Sequence, residues 1–277
     1  MIKNLTVTQL VENTVGAPGL LAEHGVAFFI KADGDSLLFD TGQGLALKHN
    51  AEQLEIRMES VDAIILSHGH YDHAGGLVDA LEMTGPAELY LHPRALTAKF
   101  NRNGREIGAP VTDKGKLAHL ARGITYTQSP TEIIPGIHVT GEIPRRHKIE
   151  DTGGPFYQDS ECTHKDALPD DQALYIETPK GLVVLLGCGH SGVINTLEYI
   201  QRVSGEKSIY AVMGGMHLLR ASTKRLAFTG DNLESMGVRY LAPNHCTGLD
   251  AVCYLKNRFP DAFHDSMTGT KHAFDNN

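Results

Sequence analysis

Apolar residues recur along this chain in short runs divided by polar, glycine-containing turns. The segments TVTQLV (6–11), GVAFFIKA (25–32) and SLLFD (36–40) read as short strands, with Gly and Asp marking the turns between them. A helix is expected over about 45–54, followed by the buried-strand run VDAIIL (61–66). Further strand runs are AELYLH (87–92), GITYTQ (123–128), GIHVTG (136–141), ALYIET (173–178), GLVVLLG (181–187), KSIYAVM (207–213) and VRYLA (238–242). Helical spacing of apolar residues falls near 76–84, 192–203, 223–236 and 247–258. Strands interleaved with helices predict an α/β protein with sheet covered by helices. The pattern fails over about 141–171, rich in Pro, Gly and charge, which predicts a flap-like insertion beside a site. With no linker or repeat, residues 1–277 otherwise read as one domain.

Composition narrows the function. Hydrophobic residues make up 41% of the chain, enough for a substantial core. Lys plus Arg total 25 against 33 Asp plus Glu, a formal charge of -8, which argues against nucleic acid as a partner. The expected partner is a small-molecule substrate, which can be anionic because bound divalent metals add positive charge that a residue count omits. The N-terminal segment lacks the apolar run of a signal peptide, and no later stretch approaches a membrane span. Cys162, Cys188, Cys246 and Cys253 form no CxxC pair, so reduced thiols in the cytoplasm are expected.

The sharpest signal is SHGHYDHAGG, which follows VDAIIL and carries His68, His70, Asp72 and His73. His68 and His70 are two residues apart, so an extended backbone sends both imidazoles to one side and onto one ion. As the chain turns, Asp72 and His73 can address a second. Imidazole nitrogen with carboxylate oxygen suits zinc first, with manganese or iron as alternatives, zinc ligands lying at roughly 2.0–2.2 Å.

This HxHxDH motif at a strand end resembles that of the metallo-β-lactamase superfamily, which implies a four-layer αββα sandwich holding two divalent metal ions. The resemblance runs over nearly the whole chain. It implies that Asp40, in SLLFDTG, orients a ligand histidine. It also implies that His190, in GLVVLLGCGHSG, joins His68 and His70, and that His245, in LAPNHCTG, joins Asp72 and His73. One departure stands out: where many relatives place a metal-bridging Asp, this chain has Cys188. That cysteine is a thiolate ligand or bridge, or a buried inert thiol beside a solvent-bridged or weakly held metal.

LLFDTG, LSHGHYDHAGGL, TGEIPR, GLVVLLGCGHSGVINT, GGMHLL and PNHCTG together look like one branch of that superfamily. These are metal-dependent hydrolases related to the dihydropterin ribofuranosyl-aminobenzene phosphate synthase of methanopterin biosynthesis. The same resemblance singles out His217, in GGMHLL, as a catalytic acid/base or substrate ligand, and Arg145 and Arg146, in TGEIPRRHKIE, as a grip for phosphate or carboxylate. The expected activity is hydrolysis of a small ester, phosphoester, lactone or amide by a hydroxide bridging the two metals about 3.5–4 Å apart, with Asp72 steadying the nucleophile. Alternatives are a transferase of the dihydropterin type and an iron-binding redox or partner-binding protein.

Overall fold

The computed structural model describes residues 1–111, 114–205 and 207–275. Its strands are β1 (Leu5–Val11), β2 (Ala27–Ala32), β3 (Asp35–Phe39), β4 (Ala63–Ile65), β5 (Glu88–Leu91), β6 (Phe100–Asn101), β7 (Gly123–Tyr126), β8 (Thr131–Ile134), β9 (Ile137–Val139), β10 (Phe156–Tyr157), β11 (Ala173–Thr178), β12 (Gly181–Leu186), β13 (Ile209–Gly215), β14 (Tyr240–Asn244) and β15 (Lys271–Ala273). The helices are α1 (Leu47–Gln53), α2 (Tyr71–Ala74), α3 (Leu77–Thr84), α4 (Lys114–Leu120), α5 (Val193–Val203), α6 (Thr223–Ser235) and α7 (Leu249–Arg258). One sheet runs β15-β1-β2-β3-β4-β5-β7, a second β14-β13-β12-β11-β9-β8, and a two-stranded ribbon pairs β10 with β6.

The two large sheets pack face to face, and their strands are apolar on both faces because both faces are covered. In β3, Leu37 and Phe39 join Val183 and Leu185 of β12 between the sheets. Leu38, pointing the other way, packs with Leu47 of α1 and Leu77 and Leu81 of α3. In β12, Leu182, Val184 and Leu186 face Val193, Leu197 and Ile200 of α5, with Leu233 of α6 and Leu255 of α7. The layers are therefore helix, sheet, sheet, helix, as the motif implied. The spacing 193, 197, 200 is the helical stripe that lays α5 on its sheet.

Two features of this topology build the site. In the first sheet β3, β4 and β5 are parallel, and in the second β12, β13 and β14 are parallel, so each set ends together. The chain segments just past β3, β4, β12, β13 and β14 carry Asp40, His68, Cys188, His217 and His245. The span 141–171 holds no regular element longer than the two residues of β10. Its β10 strand pairs with β6 to lay a ribbon beside those strand ends.

Candidate metal centre

The backbone of SHGHYDH leaves β4 extended and closes into α2, with His70 as the residue preceding the helix. That turn passes so close to the carbonyl of Ala95 that any Cβ on Gly69 would collide with it. The Gly69 amide donates to Asp170 Oδ2 at 2.9 Å. Asp170 Oδ1 in turn accepts from the fully buried Lys99 ammonium at 2.9 Å, and Asp166 lies 3.4 Å from the same nitrogen. A buried cation between two carboxylates thus ties the end of the 141–171 segment to the metal motif.

Four histidines are held by Nδ1; Nε2 of His68 then meets His70 Nδ1 at 3.0 Å and Nε2 of His73 meets Cys188 Sγ, while Nε2 of His190 and His245 is left over. Ser67 Oγ lies 2.9 Å from His68 Nδ1 while donating to Asp40 Oδ2 at 2.6 Å. Asp40 Oδ2 accepts from His73 Nδ1 at 2.7 Å, and Asp40 Oδ1 accepts from the Ser67 amide at 2.6 Å. The Thr152 carbonyl accepts from His190 Nδ1 at 2.7 Å, and Asn13 Oδ1 from His245 Nδ1 at 2.9 Å. A carbonyl can only accept, so the opposite nitrogen of His190 keeps its lone pair. Nε2 of His70, of His190 and of His245 is buried with no hydrogen-bond partner among the described residues.

Ligand atoms gather into overlapping groups of three: besides the two that follow, Cys188 lies with His217 and Cys246, and Asp72 with His24 and His245. The ligand atoms of His68, Cys188 and His190 lie within 4.8 Å of one another, and so do those of His73, Cys188 and His245. Cys188 belongs to both, with its sulfur 3.1 Å from His73 Nε2. The His70 ring is centred 4.7 Å from that of His68 and 5.0 Å from that of His190. Asp72 Oδ2 lies 3.6 Å from His245 Nε2 and 3.9 Å from His73 Nε2. Buried imidazole nitrogens without a protein hydrogen-bond donor, a carboxylate and a thiol are the ligand set for a pair of divalent cations, and the residues fit those ions.

The titration of these groups follows from burial and neighbours. Burial pushes His68 and His190 well below the ordinary imidazole range, helped by the other imidazoles, and takes His70 to about 3. Burial opposes charge on His73 too, but Asp40 and Asp72 lift it to about 9. Burial raises Asp72, yet His73, His24 and His245 hold its carboxyl well below the usual range. Burial and the adjacent Cys246 push the Cys188 thiol up, so a thiolate there needs a cation beside it.

His217, just past β13, sits with its ring centroid 4.5 Å from that of His190, and burial lowers it to about 4. It lines a cavity of about 740 Å³ together with His70, Asp72, Cys188, His190 and His245, a volume suited to a small molecule. Phe156 of β10 walls the cavity, its ring 5.0 Å from His70 and 5.3 Å from His190. Asp40, His217 and His245 all have positive φ, at 62°, 46° and 47°. Backbone strain of this kind in residues other than glycine clusters at functional sites.

Arg145 and Arg146 do not line the cavity. Arg145 spends its guanidinium on backbone carbonyls, Nη1 to His190 at 2.5 Å and Nη2 to Ala167 at 2.6 Å, so it braces the loop that carries His190. The Arg146 amide is held by Asn195 Oδ1 at 2.8 Å, and its side chain is exposed. The arginines at the cavity are Arg102 and Arg220. Two further residues join the cluster: His24, 3.2 Å from Asp72 Oδ2, and Cys246, whose sulfur accepts from the His217 amide at 3.3 Å. His24 stands alone in AEHG with no motif around it, whereas Cys246 could have been suspected from its place beside His245.

Comparison with known proteins agrees with this geometry. The family model described as the metallo-beta-lactamase superfamily matches residues 21–192. The chain is 29% identical over 276 residues to the 7,8-dihydropterin-6-methyl-4-(beta-D-ribofuranosyl)-aminobenzene-5'-phosphate synthase of Methanocaldococcus jannaschii, covering 95% of this chain and 94% of that one. It is 34% identical over 250 residues to an uncharacterised protein of the same archaeon, covering 89% and 92%. A crystal structure of a metal-dependent hydrolase of the β-lactamase superfamily superposes with a TM-score of 0.84 at 30% identity, over 98% of this chain and 100% of its own. With the fold, the strand-end cluster and these matches in agreement, this chain belongs to the metallo-β-lactamase superfamily.

Proposed function

We propose that the protein is a binuclear metal-dependent hydrolase of a small ester, phosphoester, lactone or amide. The observation that carries this reading is the set of buried, unpartnered Nε2 atoms on His70, His190 and His245 around Cys188 and Asp72. His68, His70 and His190 would hold one cation, and Asp72, His73 and His245 the other, with Cys188 between them. When bound, such a pair supplies Lewis acidity for a carbonyl or phosphoryl oxygen and acidifies water for attack. Asp72, ionised in this setting, accepts a hydrogen bond from the attacking water and fixes its direction. His217 would deliver to the leaving group the proton it needs, from its imidazole N–H. Asp40 and Ser67 hold His73 and His68 in one tautomer, and Phe156 excludes water from one wall.

Zinc is the proposed ion, with manganese or iron as alternatives, and the cytoplasm the proposed compartment, since all four cysteines are unpaired. No helix among the described residues is long and apolar enough to cross a membrane. We read residues 1–277 as one domain, with about 141–171 as a flap over the cavity. A second reading, transfer rather than hydrolysis, is favoured by similarity to the archaeal synthase over 95% of the chain. The test is product analysis with metal-loaded protein. Turnover of a phosphodiester, lactone or amide that stops on chelation supports the hydrolase. No hydrolysis, but joining of a dihydropterin pyrophosphate to an aromatic amine, makes it a transferase.

A further inference from the structure

Helix α6 carries a residue its pattern does not explain. Arg225, Thr229 and Leu233 follow one another at four-residue spacing and are all buried, so an arginine occupies the stripe that faces the protein. Its side chain is only 4% exposed. Nη1 donates to Asp151 Oδ1 at 2.7 Å, while Nε and Nη2 are buried without an acceptor among the described residues. A tether between α6 and the 141–171 segment would need only the first of these contacts. Asp151 is itself 72% exposed, and the same oxygen also accepts the Gly153 amide at 2.8 Å. Charged donors left unmet in the interior are costly, and a native fold keeps them where something supplies acceptors.

Arg225 borders a recess of about 240 Å³ together with Asp151, the turn 153–155, His217 and Arg220. The recess shares His217, Arg220 and that turn with the metal cavity, so one molecule can occupy both. Arg220 is exposed and has no ion-pair partner among the described residues. Two guanidinium groups and one carboxylate line this recess in a chain whose formal charge is -8.

We propose that this recess binds a phosphate group of the substrate, gripped by Arg225 and Arg220, while the bond to be broken lies on the far side of His217 at the metal centre. A phosphate monoester brings three acceptor oxygens and about two negative charges. Guanidinium forks match those oxygens in pairs, as a lysine would not. The phosphate is then a handle remote from the reaction. Its binding energy positions the substrate, and the preferred substrates are small phosphorylated molecules cleaved elsewhere. The link to cleavage rests on the hydrolase reading, but the binding itself does not.

The test is calorimetric titration of the metal-loaded full chain with inorganic phosphate, repeated after chelation to separate phosphate on the metals from phosphate on the arginines. The recess predicts a binding event that survives chelation. Arg220→Gln and Arg225→Lys should each weaken that event about tenfold or more while metal content stays unchanged. Phosphate binding that disappears with the metals, or that both variants leave intact, overturns the proposal. Should Arg225→Lys fail to fold, the exposed Arg220→Gln decides alone. Acetate binding as tightly as phosphate would reject the phosphate assignment. Retained phosphate binding in a protein that hydrolyses nothing would sink the hydrolase reading and leave this one standing.

Discussion

Around His68 and His190 the imidazoles are steadied by neutral groups, Ser67 Oγ and the Thr152 carbonyl. Around His73 and His245 carboxylates crowd in: Asp40 on His73 Nδ1, Asp72 within 3.6 Å of His245 Nε2, and Glu12 accepting the His245 amide at 2.7 Å. The first group is a set of lone pairs with little charge, each pushed by burial towards its neutral form. The second holds Asp72 as an anion and pulls His73 up to about 9. A divalent cation therefore meets compensating charge mainly at the second group, where burial alone would make that charge costly. Similar ligand types thus sit in two different electrostatic settings, and Cys188 belongs to both groups.

The largest expected effect is metal removal, which should abolish turnover. Graded chelation, followed by elemental analysis, should empty the site of His68, His70 and His190 first. Simultaneous loss, or the reverse order, would break the comparison. Next, His217→Ala should lower the rate by about 10²–10⁴-fold with both metals retained, as expected for a proton-transfer group. If metal content falls along with the rate, His217 is acting as a ligand. Cys188→Ser should weaken both sites together, by about a hundredfold if sulfur loss outweighs the usual cost of removing an orienting group. The wild-type thiol should resist alkylation until the metals are stripped, and equal alkylation with and without metal would reject the ligand role. The smallest effect is expected for Asp40→Asn, about 10–100-fold weaker binding confined to the site of His73 and His245. Equal weakening of both sites in that variant would show that Asp40 acts through Ser67 and His68 as much as through His73.

Fold and metal motif were both legible because their information is local. Strand runs such as GLVVLLG are apolar at every position when both faces are buried, and α5 shows its stripe within a few turns. HxHxDH brings His68 and His70 to one side by backbone geometry alone, since residues two apart on an extended chain share a side. The short strands β6, β8, β10 and β15 left no such trace, because two to four residues acquire their conformation from the partner they pair with.

The rest was decided by the meeting of the strand ends. His24 comes from the loop before β2, Cys246 from the turn after β14, and Arg225 from the first turn of α6, and no sequence spacing relates them to Asp72, His217 or Asp151. The arginine pair in TGEIPRR shows the same limit from the other side. A doublet of positive charge suggests an anion grip, but the loop around His190 needs its own carbonyls satisfied, and Arg145 is the donor within reach. The sequence by itself determined the histidines and the aspartate of HxHxDH as candidate metal ligands, but not His24 or Cys246. Which donors remain unmet depended on every neighbour that had already claimed a hydrogen bond.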